Sequence, residues 1–487
     1  MDRFEMVVRG GTVVTAGDTT DCDIGIRDGR IVALATGLSD AEHVIDATGR
    51  LVLPGGIDAH CHIDQISGMG LKTADDFESG SISAACGGNT TIMPFAPQGK
   101  GESLRAVVQD YHAKAEGKSI IDYAFHLIIS DPTEQVLGQE LPGLIRDGYT
   151  SFKIFMTYDL LKLDDRQILD VLATARREGA MVMVHAESHD IIAWLGDRLV
   201  AGGHTAPKYH GAAKPRPAER EATHRAIAIA EVIDVPILIV HVSAREAIDE
   251  IQRAQQRGLR IYGETCPQYL FLTEDDLDQD GLEGAKYVCS PPVRDAANQE
   301  YVWRGLEQGV FQVYSSDHAP YRFDTAKSKH GGESNFQKIA NGVPGLEVRL
   351  PMLFSEGVRT GRISLNQFVA LSATNAARIY GLYPRKGTIA VGSDADIAIW
   401  DPEIEVTITH DMLHDAMDYT PYEGRTCTGW PITTISRGEV VWDGGEVLGA
   451  VGRGDFLPCD LPQPAQPRGV FVSGFDASTG TFPGTTG

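Results

Sequence analysis

The chain has 487 residues, 42% hydrophobic and 23% charged, a balance that suits a globular enzyme with a large core and excludes a disordered or fibrous class. A formal net charge of -24 argues against a nucleic-acid or anionic-membrane surface, which needs clustered Lys and Arg. Seven cysteines form no Cys-x-x-Cys pair and leave any disulfide framework with an odd member, so a reducing cytoplasm is the expected setting. The N-terminus lacks a basic stretch followed by an apolar run, and no window reaches about 18 uninterrupted apolar residues, so neither an export signal nor a membrane span is expected.

The first 50 residues alternate short β-prone runs (Met6-Val7-Val8, Thr12-Val13-Val14, Ile24-Gly25-Ile26) with turn dipeptides, and Asp28-Gly29 before Arg30-Ile31-Val32 is a hairpin signal. After Pro54-Gly55-Gly56 the texture changes. Strand-like segments at 57–62, 90–95, 120–129, 150–156, 180–186, 235–242, 259–265 and 310–316 alternate with charged, helix-periodic stretches such as Asp164 to Ala173. Eight such units predict an α/β fold, a (β/α)₈ TIM-like barrel over residues 54–379. Beyond it, Gly387 to Trp400 reads as two short strands about a Gly-Ser-Asp turn. Residues 458–487, rich in Pro, Gly, Ser and Thr, are expected to be a flexible tail or an arm on a neighbouring subunit.

In such a barrel the chemistry sits at the C-terminal ends of the strands, and here those ends are polar. His60 and His62 close the first segment on one face, with Cys61 pointing to the other. Lys153 lies inside an apolar fourth segment, where an unpaired ammonium is costly. His185, His241 and Asp317 close the fifth, sixth and eighth. Singly, His185 and His241 also fit hydrogen-bonded core histidines, Asp317 a turn cap, and Lys153 a side chain that snorkels outward. Jointly, five strand ends carrying metal-ligand types are not readily explained by accident.

The motifs Gly55-Gly56-Ile57-Asp58-Ala59-His60-Cys61-His62, Ser151-Phe152-Lys153-Ile154-Phe155-Met156-Thr157-Tyr158, Val184-His185-Ala186-Glu187, Val240-His241-Val242-Ser243 and Ser315-Ser316-Asp317-His318-Ala319-Pro320 resemble those of the amidohydrolase superfamily, in its dihydropyrimidinase and D-hydantoinase branch. The resemblance covers about residues 1 to 460. It implies two divalent ions per subunit, most simply zinc, bridged by Lys153 carboxylated on its nitrogen by carbon dioxide (N6-carboxylysine). His60, His62 and Asp317 would hold one ion, His185 and His241 the other. A water activated between them would attack a ring amide carbonyl, with Asp317 passing its proton to the leaving nitrogen. Tyr158 would hydrogen-bond the developing oxyanion, and main-chain groups of Ser290 and Asn341 would bind the cyclic ureide edge. It further implies a small β-sandwich domain built from residues 1–53 and 380–457, and a homo-oligomer, commonly a tetramer, acting on a small cyclic amide with no nucleic-acid or membrane partner.

Related dihydroorotases carry an arginine two residues after the second histidine, where this chain has Asp64, which disfavours an acidic substrate. The segment Asp64 to Lys72, with Met69 and Leu71, is the expected lid over the exocyclic substituent. Alternatives are an allantoinase-like or other cyclic imide hydrolase, a mononuclear deaminase of the same superfamily using Glu187, and a non-catalytic scaffold that would have lost ligands.

Overall fold

Eight parallel strands follow one another in chain order around a TIM-like sheet. They are β1 (Gly56–Cys61), β2 (Asn89–Pro97), β3 (Asp122–Tyr123 and His126–Ile128), β4 (Ser151–Phe155), β5 (Met181–His185), β6 (Ile237–Ile239), β7 (Ile261–Thr265) and β8 (Val313–Tyr314). The computed structural model describes residues 3–67, 70–324 and 328–482. β4 and β5 are buried on both faces, as their near-continuous apolar runs require. All eight expected strands are present, several of them shorter than their apolar runs. β6 stops before His241, whose φ of 40° breaks the extended backbone, and β8 stops before Asp317, with φ 47°.

Helices cover the outer side. The segment foreseen from Asp164 becomes the helix Asp165–Glu178, started by a capping box in which the Asp164 carboxylate accepts from Gln167 N at 2.8 Å. It ends at Gly179 in the left-handed conformation, φ 76°.

No ladder joins β8 to β1 among the described residues; the ring closes through side chains and one parallel bridge between Cys61 and His318. Asp58 Oδ1 accepts from His60 N and Ser316 N, both at 3.2 Å, tying the ends of the first and last strands together. Arg349, wholly buried, sets its guanidinium 3.2 Å from Asp58 Oδ2 and donates to Asn89 Oδ1 at 2.6 Å.

Both ends of the chain build two further sheets. One, four-stranded, comes entirely from residues 4–46; the other, seven-stranded, interleaves Thr12–Val14, Thr19–Asp21 and Leu51–Pro54 with Ile397–Thr407, Thr426–Ser436, Glu439–Asp443 and Glu446–Val447. Met6, Ile24 and Ile26 of the first share one apolar cluster with Val52, Ile397 and Ile435 of the second. The Asp28-Gly29 hairpin is present, with φ 51° and 69° at its two turn residues. Of the two strands read between Gly387 and Trp400, only the second exists. Residues 388–391 form none, because the following turn is bonded to the hairpin instead: Gly392 N donates to Ile31 O, Ile31 N to Ser393 O and Ala395 N to Gly29 O.

The tail, expected to be flexible or to reach another subunit, is bonded between residues 459 and 478 to its own barrel at the N-terminal ends of the strands. Cys459 N donates to Gly148 O, and Asp234 accepts from Gly469 N and Val470 N at 2.7 and 3.0 Å. Asp58 and Arg349 hold the ring closure, so Arg349→Met, which strands a buried carboxylate, should lower the unfolding free energy by about 3 kcal/mol in urea denaturation; a midpoint equal to wild type would refute that role.

Candidate active site

The strand ends converge on a cavity of about 100 Å³ lined by His62, Lys153, Tyr158, His185, His241, Ser290, Asp317 and Asn341. His60 lies directly behind it, with Nε2 2.8 Å from Lys153 Nζ and 3.1 Å from Asp317 Oδ1. The six candidate ligands His60, His62, Lys153, His185, His241 and Asp317, with Tyr158, Ser290 and Asn341, are therefore brought to one place.

Three of the four imidazoles, those of His60, His62 and His185, are oriented by a second partner. His60 Nδ1 lies 2.6 Å from Glu264 Oε1, and His62 Nδ1 lies 2.7 Å from Gln65 Oε1, so both rings turn Nε2 toward Asp317. His185 is turned the other way. Its Nε2 is held by Glu187 Oε2 at 2.7 Å, leaving Nδ1 free, and Glu187 is itself held by Lys214 Nζ at 3.2 Å. His241 Nδ1 is buried without a hydrogen-bond partner among the described residues. Burial lowers the His60, His185 and His241 pKa values, with Lys153 adding to the effect, so all three are neutral, the form in which an imidazole is a ligand.

His60 Nε2, His62 Nε2 and Asp317 Oδ1 lie within 4.8 Å of one another, the second histidine 3.3 Å from the carboxylate oxygen. Three such atoms so close form a group that could hold a cation, and nitrogen and oxygen donors of this kind suit a divalent transition metal. Lys153 sits two residues below the end of β4, in register with Met183, while Phe155 is level with His185. Its stem runs up between the Phe95 and Phe155 rings, Nζ 4.6 and 4.9 Å from their centres. Burial lowers its pKa toward the neutral amine, against the pull of Asp317 and Glu264. Cys61 points the other way into the core, where burial raises its pKa and keeps it a thiol.

Tyr158, His241 and Asp317 all have positive φ, 69°, 40° and 47°, a conformation that costs non-glycine residues energy and collects at functional sites. The Tyr158 side chain lines the cavity together with Ser290 and Asn341, and burial, with Glu187, raises its pKa, keeping it a donor. Ser290 Oγ accepts from Lys214 Nζ at 2.6 Å. Asp64 is taken up by Lys72 at 2.9 Å and does not line the cavity, whereas its neighbours Gln65 and Ser67 do. Leu71 packs on Ala319, Tyr321 and Ala340; Gly68 and Met69 of the expected lid lie outside the described residues.

Glu264, Gln268, Gln65 and Lys214 are the site residues that sequence reasoning missed. Glu264 carried a usable signal, as an acid at the end of the seventh strand. Its Oε1 serves both His60 and the His241 amide at 3.0 Å, its Oε2 is a buried orphan, and burial raises its pKa. Gln268 donates to Asp317 Oδ2 at 3.4 Å.

This combination, a parallel barrel with histidines, a buried lysine and an aspartate at its mouth, defines a class of metal-competent barrel. Residues 51–441 match the model of the amidohydrolase family, and the chain belongs to that family. It is 46% identical over 454 residues to a D-hydantoinase of Rhizobium radiobacter, covering 93% of this chain and 98% of that one. A crystal structure of dihydropyrimidinase from Brevibacillus agri superposes with a TM-score of 0.91 at 44% identity, over 94% of this chain and 99% of that one. An L-hydantoinase (dihydropyrimidinase) from Arthrobacter aurescens gives 0.84 at 31% identity, over 93% and 100%.

Two other buried histidines support the site from outside. His126 spans Ser151 Oγ at 2.6 Å and Ala59 O at 3.0 Å, and His210 holds Cys289 O at 2.8 Å, beside Ser290. Burial pushes both down to about 3 from 6.5, so each stays neutral when folded and takes up a proton on unfolding below pH 6.5. Stability that is complete above that pH is therefore lost as pH falls toward about 3. In metal-free protein, urea unfolding stepped from about pH 7 to about pH 4 should report this proton uptake, and His210→Gln should reduce it by about one proton. An unreduced uptake would contradict the assignment.

Proposed function

We propose that this chain is a hydrolase of cyclic amide bonds that opens a cyclic ureide or imide, a dihydropyrimidine such as dihydrouracil or a 5-substituted hydantoin, to the N-carbamoyl amino acid. The observation that carries it is the convergence of His60 Nε2, His62 Nε2 and Asp317 Oδ1 beside a buried lysine, in a chain 46% identical to a D-hydantoinase. His60, His62 and Asp317 would hold one divalent ion and His185 and His241 a second, with Lys153, carboxylated on Nζ by carbon dioxide, as the ligand they would share. Burial favours that modification, because only the neutral amine attacks carbon dioxide. Zinc suits the donor set, and when bound such ions make water nucleophilic near neutral pH and polarise a carbonyl.

Asp317 accepts the proton of the attacking water and returns it to the ring nitrogen as the carbon–nitrogen bond breaks. Tyr158 donates to the developing oxyanion, and the Ser290 and Asn341 loops hold the ureide edge. Barrel residues 54–379 form the catalytic domain, and the two outer sheets, from 1–53 and 380–457, pack as a β-sandwich around their shared apolar cluster. All seven cysteines are free thiols, which fits the cytoplasm, and no helix among the described residues is long and apolar enough to cross a membrane. We include assembly as a homotetramer in the proposal.

Purified, metal-analysed protein should open dihydrouracil, dihydrothymine or a 5-substituted hydantoin in preference to allantoin or succinimide, with two ions per chain. Failure on all of them with both ions bound sinks the substrate class. Lys153→Ala should lose metal and activity together; a single ion with lysine-independent turnover points to a deaminase instead. Asp317→Asn should cut kcat by about 10²- to 10⁴-fold.

A further inference from the structure

Lys329 opens the short turn Lys329–Glu333, and its side chain is wholly buried. Its Nζ donates to three main-chain carbonyls: Val288 at 2.9 Å, Ala340 at 2.8 Å and Gly342 at 2.6 Å. No carboxylate pairs with it among the described residues. An ammonium has three N–H groups, and here each has one carbonyl. Burying a charge to satisfy backbone alone is expensive, and an apolar side chain of similar volume would stabilise such a core at least as well. The cost is therefore tied to what the three carbonyls belong to.

They belong to two loops. Val288 is two residues before Ser290, and Ala340 and Gly342 flank Asn341. The loops touch directly through one backbone hydrogen bond, Gly342 N to Val288 O at 3.0 Å. Gly342 has φ 151°, and a Cβ there would stand 2.4 Å from Ala319 Cβ, so this loop is also seated on the segment following Asp317. One backbone bond acts as a hinge and leaves the opening angle between the loops free, whereas three further bonds radiating from one nitrogen fix it.

We propose that Lys329 is a positioning residue that clamps the Val288–Ser290 and Ala340–Gly342 loops at the spacing a cyclic ureide edge requires, and so sets substrate affinity. This rests on the hydrolase reading above, in which those loops bind the substrate ring. Lys329 donates to none of the residues read as metal ligands, so loss of the clamp should act on binding more than on the chemical step.

The test compares Lys329→Met, which keeps the stem and removes every donor, and Lys329→Gln, which keeps two N–H donors without charge and serves if the first variant does not fold. For Lys329→Met we expect KM for the ring substrate to rise about tenfold while kcat changes less than about threefold, with the metal content of wild type. Lys329→Gln should fall between. KM within about twofold of wild type in a folded variant overturns the clamp, as does a fall in kcat at unchanged KM. A wild-type protein that opens no cyclic amide would refute the hydrolase reading itself. Amide exchange in the free protein then decides the clamp alone: the Gly342 amide should exchange faster in the variant, and an unchanged rate overturns it.

Discussion

A lysine in the middle of a barrel strand is the constraint from which the rest of the site follows. Lys153 is flanked by strands on both sides and lies against aromatic rings, and its ammonium has no carboxylate within salt-bridge distance among the described residues. Burial accordingly drives it toward the neutral amine, and the group nearest its nitrogen is the His60 imidazole, itself held neutral. A cluster of neutral nitrogen donors beside one carboxylate is poorly satisfied without a cation. The lysine thus ties the choice of its neighbours to chemistry, because for stability alone an apolar residue would serve better there.

Holding those neighbours in place takes two kinds of device. Ring closure rests on Asp58, whose carboxylate ties His60 N to Ser316 N, together with the backbone bridge between Cys61 and His318, and these bring His60 and Asp317 together across the seam. Outside the ring, every cavity histidine except His241 is fixed through its second nitrogen, by Glu264, Gln65 or Glu187. The strained backbones of Tyr158, His241 and Asp317 mark where the chain turns abruptly from strand into cavity wall.

Much of this was legible in the sequence. Period-two runs place His60 and His62 on one face and Cys61 on the other, and the Asp28-Gly29 hairpin follows from local turn chemistry alone. The second-layer groups were not legible. Gln65, Lys214 and Gln268 carry no motif, and two of them matter through an atom contributed by a distant segment: Lys214 meets Ser290, 76 positions away, and Gln268 meets Asp317, 49 away. The strand misread at 388–391 fails for the same reason. Its local pattern is β-like, but the partners that draw the adjoining turn away sit in the first 35 residues. The tail, polar and turn-rich, looks unstructured until Asp234 and Arg176 are seen to hold it, Arg176 Nη1 lying 2.9 Å from Asp476 Oδ2.

What the sequence by itself determined is which residue types lie at the ends of which strands, because strand periodicity and the alternation with helices are local properties. That was enough for the barrel, for its functional face and for the family. Only the tertiary structure decided how the barrel closes, which nitrogen of each histidine is free, and what the loops over the cavity rest on. Ring closure rests on a bond between Asp58 and Ser316, 258 positions apart, and the setting of His60 on Glu264, 204 apart, and a bond of that kind leaves no periodicity for a sequence to display.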